Sequence, residues 1–169
     1  MKTLETARLA LTQLSARDAE FIYAQLNEPS FLRYIGDRGV HSVEDAHRYI
    51  NDGPVAMYAR HGYGLLRVGL KSDDTPIGIC GVLKRDSLPE PDLGFSILPA
   101  YWSKGYAFEA ASAVMCEAHG ALGLGRILAI TSLENGSSIR LLGKLGFRFE
   151  RLIRLGEDAS ELRLFASEP

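Results

Sequence analysis

Apolar and polar positions change period several times along the chain, and each change marks an element. Leu9 and Leu11 alternate with Arg8, Ala10 and Thr12, which predicts a strand within 4–14. Ser15 with Asp18 three residues later is a helix-start pattern. Ala19, Ile22, Tyr23 and Leu26 then recur at helical spacing to about Asn27, with Pro29 as the stop. A short second helix is expected over 30–34 and a loop, with Gly36 and Gly39, over 35–40. Ser42 opens a third helix, 43–51, which Asp52-Gly53-Pro54 ends. Segments 62–70 and 77–84 alternate as strands around an Asp-rich turn, a hairpin. A strand over 92–98 follows an exposed connection with two prolines. A helix from about Gly105 carries Ala107, Ala111, Val114 and Ala118 as its apolar stripe, with Phe108 and Met115 beside them. The apolar run 126–131 reads as a buried strand. A second capped helix starts at Asn135, and strands over 147–151 and 161–166 complete the chain.

This order gives an α/β protein, a mixed sheet with helices on both faces. The length, 169 residues, suits a single domain over 1–169, and a hydrophobic fraction of 46% against 24% charged supports a substantial core. A net charge of −2 argues against non-specific nucleic-acid binding as the main task. Cys80 and Cys116 both lie in apolar patterns and are expected to be buried free thiols. The four histidines lack metal-ligand spacing, so no metal is expected. No signal pattern and no long apolar run is visible, and a cytoplasmic protein with no membrane partner is expected.

The chemistry concentrates in two stretches. In Leu98-Pro99-Ala100-Tyr101-Trp102-Ser103-Lys104-Gly105-Tyr106-Ala107, proline ends a strand and glycine lets the chain turn into a helix. The first amides of a helix have no internal partner, so such a turn is an anion site, and Lys104 adds positive charge. The expected ligand carries phosphate. The turn is neither a Walker A loop nor a dinucleotide fingerprint. An ordinary connection with a solvated lysine is the plain alternative. The second stretch, Asn135-Gly136-Ser137-Ser138-Ile139-Arg140-Leu141-Leu142-Gly143-Lys144-Leu145-Gly146-Phe147, is a capped helix with an apolar face and a glycine stop.

Together, in this order, the two stretches resemble the GNAT acyl-CoA-dependent N-acetyltransferases. The run Trp102 to Ala110 and the Thr-x-Arg-Leu-x-Leu opening (Thr6 to Leu11) resemble the RimJ/RimL-like branch, so the likeness covers nearly the whole chain. It implies a central, mostly antiparallel twisted sheet of about seven strands, with acetyl-CoA entering where the fourth and fifth strands splay. It implies the pyrophosphate over the amides of Trp102, Ser103, Lys104, Gly105, Tyr106 and Ala107. It further implies the pantetheine arm along free backbone groups of Phe95, Ser96, Ile97 and Leu98, and a hydrogen bond from Asn135. Ser103 departs from the glycine usual there. Lys144 is a further cofactor candidate, or simply a solvated lysine at a helix end.

Acetyl transfer needs a neutral amine, a polarised thioester carbonyl and a proton for the thiolate. Backbone N–H groups near Leu98 are candidates for holding the oxyanion. Asp92, expected to face the acceptor, and Glu109, which could brace the site or the sheet, are the carboxylate candidates. The alternatives are a solvated strand-start residue and a structural hydrogen bond. Leu142 stands where the family often has a tyrosine acid, so Ser138 is the substitute candidate for proton transfer and lies beside the cofactor in either reading. Acceptor recognition is expected from the first helices and the hairpin, where Arg33, Tyr34, Asp37 and Tyr63 lie. The expected activity is acetyl transfer to a protein N-terminal or small-molecule amine, in a protein that could form a homodimer. A non-catalytic acyl-CoA sensor or a nucleotide-binding protein is the competing class.

Overall fold

The strand expected within 4–14 is two strands. Thr6 folds back, its amide donating to the Leu9 carbonyl and its hydroxyl accepting from the Leu9 amide. The computed structural model describes residues 3–169. It shows β1 (Leu4–Glu5), β2 (Leu9–Gln13), β3 (Leu65–Leu70), β4 (Pro76–Leu83), β5 (Asp92–Ile97), β6 (Ile127–Ser132), β7 (Arg148–Ile153) and β8 (Leu162–Ser167). The helices are α1 (Ala19–Leu26), α2 (Pro29–Tyr34), α3 (Val43–Ile50), α4 (Ala56–His61), α5 (Tyr106–His119) and α6 (Gly136–Lys144). Among the described residues all eight strands join one sheet, in the order β1-β2-β3-β4-β5-β6-β8-β7. The split of the first strand accounts for the eighth.

Every neighbouring pair is antiparallel except β5 and β6. Those two are parallel and meet at one register position, Asp92 opposite Leu128. Beyond it they separate, which gives the splay.

Apolar side chains leave the sheet on both faces. Leu9, Leu11, Val68, Cys80, Val82 and Leu93 pack with the α5 stripe and Leu142 of α6. Ile79 packs on the other face with Ile22, Leu26, Ala46 and Ile50 from α1 and α3. The period-2 alternation of a strand makes this two-sided core possible.

Four readings are corrected. Pro29 starts α2 as its first residue rather than only stopping α1, because proline is pre-set for that position. Gly53-Pro54 does not end the helical segment after α3. A wide π-type turn over Asn51–Val55 absorbs the proline, which has no N–H to contribute, and the chain continues as α4 until Gly62 stops it at φ +78°. Phe108 is exposed, lying in the first turn of α5 at the edge of the face that carries Ala111, Val114 and Ala118. Cys116 is likewise exposed, whereas Cys80 is buried and burial pushes its thiol up to about 12.

Candidate active site

The phosphate-type turn is built as a strand end, one 3-10 turn and a helix start. Pro99–Tyr101 forms the short turn after β5. Ser103 and Gly105 both take positive φ, +60° and +81°, which swings the chain into α5. Glycine adopts that region without strain and serine does not. Among the described residues no side chain caps α5. The amides of Tyr106, Ala107 and Phe108 therefore lie at the open positive end of a 14-residue helix. Trp102, Ser103, Lys104 and Gly105 are all exposed around it.

The turn is held from behind by the opening strands. Arg8 donates from one terminal nitrogen to the Lys104 carbonyl (2.9 Å), and its guanidinium stacks 4.3 Å from the Tyr106 ring centre. Glu109 accepts from the Thr6 hydroxyl (2.5 Å), the Arg8 amide (2.9 Å) and Arg8 Nε (2.7 Å). Both Glu109 oxygens are engaged, so Glu109 is a brace and not a free base. Burial pushes its carboxyl up, but these hydrogen bonds and the Arg8 charge hold it below the ordinary value.

The gap between β5 and β6 exposes a defined set of peptide groups. Ser96 pairs with Ile79, and the Leu98 amide donates to the Ile77 carbonyl (2.8 Å). Peptide groups alternate in direction along a strand, so residues 93, 95 and 97 turn theirs toward the gap. Trp102 Nε1 donates to the Ile97 carbonyl (2.7 Å). The expectation for Phe95 to Leu98 therefore narrows. Phe95 N–H and C=O and Ile97 N–H face the gap, while Ser96 spends its peptide groups on β4, the Leu98 N–H goes to Ile77 and the Leu98 carbonyl accepts from the Tyr101 amide. The Leu98 amide is engaged and cannot hold an oxyanion.

Beyond the gap, β6 carries Thr131 Oγ1 and Ser132 Oγ on opposite faces of the sheet, both buried without a partner among the described residues. Asn135 Oδ1 caps α6 by accepting from the Ser138 amide (3.2 Å), which leaves the Asn135 side-chain N–H₂ free to donate. Ser138 is half-buried. Lys144 is exposed in the last turn of α6, roughly 12 Å along the helix from its start at 1.5 Å per residue. The structure does not bring it to Asn135. Leu142 is fully enclosed in the core.

Asp92 lies on the face shared with Gly94 and Ser96, but it is neither solvated nor open to a substrate. It is fully buried, and Arg85 Nε donates to both its oxygens (3.0 and 3.1 Å). Burial pushes its carboxyl above the usual range against the pull of Arg85. Beside this pair opens a cleft of about 210 Å³ on the α1–α3 side of β5, lined by Phe31, Ile35, Arg38, Tyr49, Arg85 and Ser96 among others. Buried Gln25 of α1 fixes Ser96, its side-chain N–H₂ donating to the Ser96 hydroxyl (2.9 Å). Of the expected recognition residues, Tyr63 is buried in the opposite core, Arg33 lies over the Tyr34 ring, and Asp37 binds His41. Sequence reasoning missed Arg8, Gln25, Arg38, Tyr49 and Arg85. Only Arg8 had a local signal, the Thr-x-Arg-Leu-x-Leu opening.

A splayed mixed sheet with an uncapped helix start at the mouth of the splay is the arrangement that the GNAT resemblance implies. Residues 8–148 match the acetyltransferase (GNAT) domain family, and the chain belongs to that family. It is 34% identical over 156 residues to the uncharacterized N-acetyltransferase YoaA of Bacillus subtilis (strain 168), covering 89% of this chain and 85% of that one. The fold superposes on an acetyltransferase from Agrobacterium tumefaciens with a TM-score of 0.85 at 23% identity, over 100% and 95% of the two chains. RimL, a ribosomal L7/L12 α-N-protein acetyltransferase solved with coenzyme A, shares the fold with a TM-score of 0.82 at 13% identity, over 99% and 98%. The chain is an acetyltransferase by family.

Proposed function

We propose that the protein is an acetyl-CoA-dependent N-acetyltransferase that acts on a primary amine by direct attack in a ternary complex. The observation that carries this reading is the gap between β5 and β6. Its free peptide groups on Phe95 and Ile97 lead to the uncapped amides of α5. An extended pantetheine arm pairs with such an edge as an added strand would, and a pyrophosphate suits the amides beyond it. The free Asn135 amide beyond β6 fits the same polar arm. The family match and the coenzyme A complex of RimL point the same way.

The thioester supplies an activated acyl carbon. The amine nitrogen bonds to that carbon, the carbon–sulfur bond breaks, the amine proton passes to water and the thiolate takes a proton up. Ile97, nearer the α5 amides, pairs with the arm, and the Phe95 N–H is the free donor on this edge for the charge that develops on the carbonyl oxygen. Ser138 relays a proton from water to sulfur, a modest demand for a thiol of pKa about 8.5. Asp92 serves as the counter-ion that orients Arg85.

The reading is tested by thiol release from acetyl-CoA over a panel of peptides, amino acids, polyamines and aminoglycosides, with acetyl-CoA binding followed by calorimetry. Release that depends on one acceptor class supports it. Tight binding with no acceptor-dependent release would instead favour a protein that senses acyl-CoA.

A further inference from the structure

The cleft beside β5 is unbalanced in charge. Two guanidinium groups line it, Arg38 from the loop between α2 and α3 and Arg85 from the connection after β4, and among the described residues no carboxylate does. Asp92 lies beneath and engages Arg85 through Nε alone. The two terminal nitrogens of Arg85 have no partner among the described residues, although its side chain is only 26% exposed. Arg38 has no ion pair among the described residues, since neighbouring Asp37 is committed to His41 and the Gly39 amide. The cleft therefore keeps one uncompensated positive charge and a planar fork of N–H donors. Phe31, Ile35, Tyr49 and Leu65 form the apolar remainder of its wall. The free terminal nitrogens of Arg85 face the cleft with Arg38, and this fork matches the geometry of a carboxylate or a phosphate.

We infer that the acceptor is a primary amine that also carries a carboxylate or phosphate and an apolar body, its anion held by Arg85 and Arg38 and its amine directed at β5 near Ser96. The inference rests on the transferase reading above and narrows it. Polyamines and aminoglycosides would bring further cations against two arginines and are disfavoured. A free amino acid and a peptide with an acidic residue beside its N-terminus offer the same chemistry.

Matched acceptors test it: phenylalanine against phenylalaninamide, Ala-Asp against Ala-Asn dipeptide amides, and spermidine. Thiol release is measured at saturating acetyl-CoA. Binding of each acceptor to the protein–CoA complex is measured separately by calorimetry. The acidic member of one pair is expected to exceed its neutral partner by about 10- to 100-fold in kcat/KM, the scale of a charge-assisted bidentate contact. Which pair responds distinguishes amino acid from peptide. Arg38→Gln, at an exposed loop position, should collapse that preference through KM rather than kcat. Fastest release with spermidine or the neutral partners would overturn the anion site and leave the transferase reading intact. Arg38-dependent binding of the acidic amines without release from any acceptor would keep the anion site and overturn transfer. Neither preferential release nor preferential binding would overturn the inference.

Discussion

Replacing Glu109 with alanine removes the brace behind the phosphate-type turn, and the structure sets the size of the effect. Glu109 is 17% exposed at its side chain and receives the Thr6 hydroxyl and the Arg8 amide as shielded donors. Hydrogen bonds to a charged acceptor contribute about 1.5–3 kcal/mol each. Thr6 keeps a weak alternative in the Leu9 carbonyl, 3.4 Å away. The Arg8 guanidinium is 46% exposed, so its ion pair adds no more than about 1 kcal/mol. Glu109→Ala should therefore cost about 2–4 kcal/mol, a fall in Tm of about 5–15 °C for a chain of this size. Urea unfolding checks this, with acetyl-CoA titration in parallel. Because Arg8 also holds the Lys104 carbonyl, KM for acetyl-CoA should rise while kcat is largely kept. Since the folded carboxyl lies below the ordinary 4.5, the stabilisation is complete above that pH and is lost as pH falls through the folded value. The stability difference between the wild type and Glu109→Gln should accordingly narrow from pH 6 to pH 3. A loss of under about 0.5 kcal/mol at pH 7, where shielded bonds to a charge should contribute several times that, would refute the bracing role. So would a kcat abolished at saturating acetyl-CoA with stability unchanged.

Gly105→Val places a β-branched residue at φ +81° with its Cβ about 3.3 Å from an Arg8 terminal nitrogen. It should weaken acetyl-CoA binding by calorimetry, and unchanged binding would remove this turn from the cofactor site. Leu142→Ala opens a cavity at a fully buried position and should cost about 3–5 kcal/mol in urea unfolding. A methyl on Gly81 would run into the Gly64 carbonyl across β3 and β4. Gly81→Ala should therefore lose at least about 2 kcal/mol or yield no folded protein by circular dichroism.

The elements with local punctuation were legible in the sequence. Asn135 caps α6 and Gly146 ends it at φ +88°, because capping and left-handed stops are decided within a few residues. Pro99 and Gly105 marked the turn for the same reason. Pro54 misled, because a π-type turn accommodates a proline that would break a regular helix. The break at Thr6 was hidden because the bonds between Thr6 and Leu9 that close it leave the alternation of Leu9 and Leu11 unchanged, and the second partner of the Thr6 hydroxyl, Glu109, lies 103 positions away. The cleft was illegible for a related reason. Arg38, Tyr49, Arg85 and Ser96 come from four separate segments, and only the packing of α1–α3 against β5 brings them together.

The single bridge between Asp92 and Leu128 divides the sheet into two leaves stitched at one end. Five strands lie on one side and three on the other, and among the described residues no ladder bond closes the open end. A guest entering there displaces no strand and breaks no existing pairing. It completes a seam that the polypeptide leaves unsewn. The Phe95 and Ile97 amides are then the reporters of occupancy. Their hydrogen exchange should be fast in the free protein and slow when the seam is filled, while the Ser96 amide, on the side paired with β4, barely changes.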